Sequence, residues 1–137
     1  MSEAIASLPV SSLIGDDLIT VTPETTIDAV ARLLQDAGIS IVAVGEPANV
    51  EGVVSERDVV RVVAQGNDPT TVTAGEIATR ELVWCQEDST VPTVANEMFD
   101  RYVRHVLVAN STGLAGIVSA RDLLGVYASE DAPDWDD

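Results

Sequence analysis

Apolar and polar positions along the 137 residues follow two rhythms. Runs such as Ile39–Val44 (ISIVAV) and Val103–Val108 (VRHVLV) are rich in β-branched residues, lack a helical period and predict strands. Ile27, Val30, Ala31, Leu34 and Ala37 instead mark one face of a 3.6-residue period, predicting a helix that Gly38 stops. Read along the chain, the pattern predicts a short helix within Ile5–Ile14 limited by Pro9, then strand Leu18–Thr22 and helix Ile27–Ala37. Strands Ile39–Val44 and Val50–Ser55 and helix Glu56–Gln65 follow. After a Gly66–Pro69 linker the order returns: short helix Ala74–Ala78, strand Leu82–Cys85, helix Thr90–Tyr102, strands Val103–Val108 and Leu114–Ser119, helix Ala120–Ala128. Residues 129–137 are acidic without an apolar period and predict a loose tail, with Trp135 the one residue there able to dock.

The recurrence extends to the residues themselves. GVVSERD at Gly52–Asp58 and GIVSARD at Gly116–Asp122 stand 64 residues apart, and that register holds without a gap. It places Leu18 on Leu82, Thr26 on Thr90, Val30 on Val94, Val42 on Val106 and Val44 on Val108. The chain is a tandem duplication of two strand–helix–strand–strand–helix modules, too long in period for a solenoid. In each heptapeptide a strand runs into a helix that Ser55 or Ser119 can cap. Such a junction predicts unpaired backbone N–H groups and a positive helix end beside Asp58 or Asp122, a place for an anionic or hydroxyl-rich ligand. The alternative is that each Ser is only a cap and each Asp only complements the helix dipole; both can hold together.

Charge narrows the partners. Net charge is −16 and all seven basic residues are arginine, with a sequence pI near 4.1. Such a field repels nucleic acid and anionic membrane. Acidity without lysine also points to a high-salt cytosol, where screening removes the mutual repulsion of surface carboxylates; the plainer reading is an ordinary acidic protein. With 46% hydrophobic residues the chain can bury a core, although halves near 60 residues are marginal alone and are expected to share one. The single Cys85 excludes an internal disulfide and reads as a buried inert thiol. No basic leader and no apolar run approaching 18 residues is present, so the expected location is cytoplasmic.

The two Gly-apolar-apolar-Ser-X-X-Asp motifs, the Thr25-Thr26 and Ser89-Thr90 turns and the Gly38–Ser40 strand start together resemble a tandem pair of CBS domains, a Bateman module. The likeness covers about residues 8–129, divided as domains 8–66 and 72–129 with an acidic tail at 130–137. The resemblance implies an α/β (α+β) fold of two βαββα modules packed as a pseudo-two-fold pair. It implies clefts between them for adenosine-containing ligands: AMP, ADP, ATP, S-adenosylmethionine or NAD-type molecules, with no covalent cofactor. By the same resemblance Asp58 and Asp122 take ribose hydroxyls, and Ser55 and Ser119 sit beside ribose and phosphate. Ile39, Ser40, Ile41, Arg104 and His105 line the start of the second strand, where basic residues reach phosphate. Thr20–Thr22 and Trp84–Gln86 flank the base (Thr20, Thr22, Trp84 and Gln86 are the site positions), Trp84 by stacking or else packing in the core. Arg57 and Arg121 add charge to a cleft or form surface ion pairs.

Two departures from the family pattern stand out. Ala43 and Leu107 occupy the place of a usual proline late in the second strand, and Tyr102 replaces the glycine equivalent to Gly38, so the second long helix is expected to end differently. Catalysis finds no support: there is no nucleophile–base pair, no lysine for a phosphate loop and no His or Cys cluster for metal. The expectation is a non-enzymatic regulatory module that senses an adenosyl ligand, forms a homodimer through its helices and signals to a separate effector protein. The competing expectation is a structural dimerisation module with empty clefts.

Overall fold

The computed structural model describes residues 3–15 and 18–131, with side chains to residue 129. In chain order the elements are α1 (Glu3–Ala6), a 3-10 turn (Val10–Leu13), β1 (Thr20–Val21), α2 (Ile27–Ala37), β2 (Ile41–Glu46), β3 (Asn49–Ser55) and α3 (Glu56–Ala64). They continue with α4 (Ala74–Ile77), β4 (Trp84–Gln86), α5 (Val91–Arg101), β5 (His105–Asn110), β6 (Gly113–Ser119) and α6 (Ala120–Asp131). The fold is mixed α+β, with one three-stranded sheet per repeat, ordered β1-β2-β3 and β4-β5-β6. In each, the first strand is parallel to the middle one and the last two form an antiparallel hairpin. The predicted N-terminal helix is broken in two, because Pro9 is extended between α1 and the 3-10 turn. Helix α6 runs past Ala128 to Asp131, so the start of the expected loose tail is helical; Trp135 and the rest of it lie outside the described residues.

Contacts divide the chain into two compact units, Leu18–Leu82 and Met1–Asp17 with Val83–Asp137. In the first, Val21, Ile27, Val30, Leu34, Val42, Val44, Val54 and Val62 form the core. The alternating strand positions Val42, Val44 and Val54 meet the stripe Ile27, Val30 and Leu34 of α2, the two periods read from sequence. In the second, Val91, Val94, Met98, Val106, Val108, Val118 and Leu123 do the same, joined by Ile5 and Val10 from the N-terminus.

These units are not the two sequence repeats. The segment leading into each repeat docks on the long helix of the other. Val91 N–H donates to Leu8 O at 2.9 Å and Val10 N–H to Ser89 O at 2.7 Å; at the same repeat positions Ile27 N–H donates to Val72 O at 2.9 Å and Ala74 N–H to Thr25 O at 2.7 Å. The exchange accounts for the glycine that opens each heptapeptide. A Cβ on Gly52 would lie 2.8 Å from both Ala78 Cβ and Thr79 O, and one on Gly116 would lie 2.9 Å from Ile14 Cβ. Ile14 and Ala78 occupy one repeat position, crossing the same strand in the two units.

The long helices end alike, contrary to the expectation from Tyr102. Gly38 is left-handed at φ 67°, ψ 34°, and Tyr102 adopts φ 56°, ψ 38°. For a non-glycine residue this conformation costs roughly 1–2 kcal/mol. It persists because the cap bonds require it: Tyr102 N–H reaches Met98 O, and Val103 N–H reaches Met98 O at 3.1 Å. The matching bond, Ile39 N–H to Leu34 O at 3.1 Å, explains a second difference. Ile39 and Val103 serve the helix caps, so β2 and β5 begin two residues later than the apolar runs predict.

Candidate functional site

Each heptapeptide ends its strand and starts its helix at the serine. Ser55 pairs with Ile41 across the hairpin and caps α3: Asp58 N–H donates to Ser55 Oγ at 3.3 Å. Asp58 Oδ2 accepts from Ser55 N–H at 2.8 Å and Ser55 Oγ–H at 3.0 Å. The second copy repeats the reciprocal pair, Ser119 N–H to Asp122 Oδ2 at 2.8 Å and Asp122 N–H to Ser119 Oγ at 3.0 Å. This is a capping box with Asp in the Glu position. The next N–H is also used: Glu56 donates to Ser40 O at 2.9 Å and Ala120 to Arg104 O at 2.7 Å. The helix starts are therefore mostly satisfied rather than open as the sequence predicts, and the Arg57 and Arg121 N–H groups remain without a partner among the described residues. Those bonds pin Ser40 and Arg104 beside the Ser and Asp of their own motif.

Strand register decides which other positions join them. His105 pairs with Ser119, as Ile41 does with Ser55, so both lie at the motif end of the sheet. Ile39 lies just before, in the cap. Thr20 pairs with Ala43 and Trp84 with Leu107, two residues further along. Thr22 and Gln86 lie about 13 Å from the motif along the strand, at 3.3 Å per residue, and are not gathered with it. Thr22 lines a separate groove of about 190 Å³ with Thr20, Gly45, Glu46, Asn49 and Glu51. That volume is below the roughly 300 Å³ at which small-molecule pockets begin, and its charged walls are acidic. Trp84 is 41% exposed, which removes the core-packing alternative and leaves its ring open to stack.

The arginines sort cleanly. Arg32, Arg61 and Arg101 pair with Asp28, Asp58 and Glu97, and Arg80 donates to the Glu51 and Gly75 carbonyls. Arg57, Arg104 and Arg121 are exposed and make no ion pair among the described residues. All three flank a heptapeptide helix start. Arg61 was not singled out by the sequence, although its i+3 spacing from Asp58 on a helix was the available signal. Among the described residues no group of three His, Cys, Asp or Glu side chains is placed to hold a metal. Cys85 is partly buried, which raises its thiol pKa and disfavours the thiolate.

Comparison with known proteins agrees with this geometry. The family model described as CBS domain matches residues 10–65 and 74–129. An uncharacterised protein of Methanopyrus kandleri is 33% identical over 123 residues, covering 88% of this chain; the chain spans 63% of that protein's length. The crystal structure of a CBS-domain-containing protein from Agrobacterium tumefaciens is 31% identical, with TM-score 0.77, covering 87% of this chain and 98% of its own. A CBS domain protein from Pyrobaculum aerophilum, solved in complex with AMP, is 28% identical with TM-score 0.77, covering 89% of this chain and 99% of its own.

Proposed function

The chain belongs to the CBS-domain family, and from that premise we propose that it is a non-enzymatic regulatory module that binds an adenosyl ligand beside its Ser-X-X-Asp motifs. The observation that carries this reading is the set of unpaired arginines. On a chain of net charge −16, most cations should be neutralised by neighbouring carboxylates, yet Arg57, Arg104 and Arg121 are not. Cations kept free beside hydroxyl and carboxylate groups suit a ligand with an anionic group and a cis-diol. AMP has both, and the Pyrobaculum relative was solved with it.

The two motifs differ in charge. Arg104 immediately precedes the second strand of one repeat, and neutral Ser40 holds the same place in the other. A phosphate approaches this acidic chain against repulsion, so the motif beside Arg104 takes the nucleotide, and the other suits a neutral or cationic adenosyl compound or stays empty. Titration calorimetry with AMP tests this. Arg104→Ala is expected to weaken binding about tenfold, roughly 1.5 kcal/mol, the lower end for a hydrogen bond to a charged group. Parent-like affinity in the mutant would show that Arg104 does not meet phosphate.

Assembly is part of the proposal. Val62 and Leu123 are consumed by the cores, whereas Val60, Val63 and Leu124 are 65%, 60% and 67% exposed on α3 and α6. Their exposure supports pairing of two copies through these helices. The same exposure favours the second reading, a structural dimerisation module without a ligand. Sedimentation in molar salt should give a dimer at micromolar concentration; monomer alone contradicts the pairing. The described helices include none long and apolar enough to cross a membrane. A cytoplasmic place, a saline cytosol and a separate effector protein complete the proposal.

A further inference from the structure

The two motifs share a sequence pattern but not a state. Both oxygens of Asp58 are engaged: Oδ2 accepts from Ser55 N–H and Ser55 Oγ–H, and Oδ1 accepts from Arg61 Nη1 at 3.1 Å. Its side chain retains 12% exposure. Asp122 is exposed; its Oδ2 accepts from Ser119 N–H, and its Oδ1 has no partner among the described residues. The repeat position of Arg61 is occupied in α6 by Gly125, where a Cβ would meet nothing within 4 Å.

We infer that Arg61 is an internal stopper on the first motif, competing there for Asp58, so that the Asp122 motif is the first to take the ribose of an adenosyl ligand. A cis-diol needs a carboxylate oxygen that can accept from its hydroxyls. Asp122 offers one without rearrangement. At Asp58 the ligand must share or take over the one oxygen the cap leaves, on which a guanidinium is already seated. The Arg61–Asp58 pair is weak as an ion pair, since Arg61 is 57% exposed. It acts as a tethered competitor one helical turn away, and a pair of this strength lowers the affinity of the first motif severalfold. Arg61 thus sets the order in which the two motifs fill.

This inference rests on the adenosyl-binding reading above. Titration calorimetry with AMP, and with adenosine as a phosphate-free probe, tests it on the parent, Arg61→Ala and Gly125→Arg. The parent should bind one AMP per chain more tightly than any second. Arg61→Ala should strengthen the second site severalfold for AMP or adenosine while keeping the first within about twofold. Gly125→Arg should lower affinity at the original site severalfold by placing the same stopper on Asp122. Two equal sites in the parent, a single site in Arg61→Ala, or parent-like affinity in Gly125→Arg overturns the stopper and leaves adenosyl binding standing. Weaker first-site binding in Arg61→Ala overturns it too, by making Arg61 a ligand contact. Silence from all three proteins overturns AMP and adenosine as ligands, and the stopper with them.

Discussion

Gly52→Val is expected to lower the stability of the chain by about 3 kcal/mol, near the top of the range for overpacking. The new side chain would enter space held by Ala78 Cβ and Thr79 O, each 2.8 Å from where its first carbon must lie. Thr79 cannot step aside cheaply. Its carbonyl accepts from Val53 N–H at 3.0 Å and its N–H donates to Val53 O at 2.9 Å, so moving it breaks a two-bond bridge. The equivalent Gly116→Val is expected to cost a comparable amount, because its nearest neighbour is Ile14 Cβ at 2.9 Å, which no change of rotamer moves. Urea denaturation of both variants in molar salt measures the two costs. A Gly52→Val midpoint equal to that of the parent would show that the lead segment does not sit against this strand.

Local physics was legible in the sequence and the long-range pairing was not. The stripe Ile27, Val30, Leu34 and the stop at Gly38 come from neighbouring residues, and helix α2 has those bounds. The 64-residue register identified both motifs and both hairpins before any coordinate. That Leu8 bonds to Val91 and Val72 to Ile27 was hidden, because the duplicated sequence fits a lead segment on either repeat. Tyr102 misled for a related reason: helix-cap bonds can hold a tyrosine left-handed, and propensity records only the cost. At the motifs, sequence named Ser55, Asp58, Ser119 and Asp122 but made their helix starts too open. Backbone bonds just beyond the ladder fix Ser40 and Arg104 as acceptors for the first helical N–H, and only the register shows that Thr22 and Gln86 stand at the other end of the strand.

The second large effect is ligand stabilisation, and it bears on the central claim without any mutation. A ligand that binds only the folded chain stabilises it by about 2.7 kcal/mol per site at 100 times its dissociation constant. AMP, ADP, ATP, NAD and S-adenosylmethionine differ in charge but share the adenosyl ribose that the Ser-X-X-Asp motif is proposed to hold. High salt screens the general repulsion of an acidic chain for nucleotides, so binding should survive there if ribose contacts and a local arginine supply it. The decisive measurement is therefore thermal unfolding with each of these five ligands, in low salt and in molar salt. The account predicts a concentration-dependent rise in midpoint for at least one of them, a stabilisation of about 2.7 kcal/mol at 100 times its dissociation constant. An unfolding midpoint unmoved by all five in both salts would contradict it and leave the structural dimer as the function of the fold.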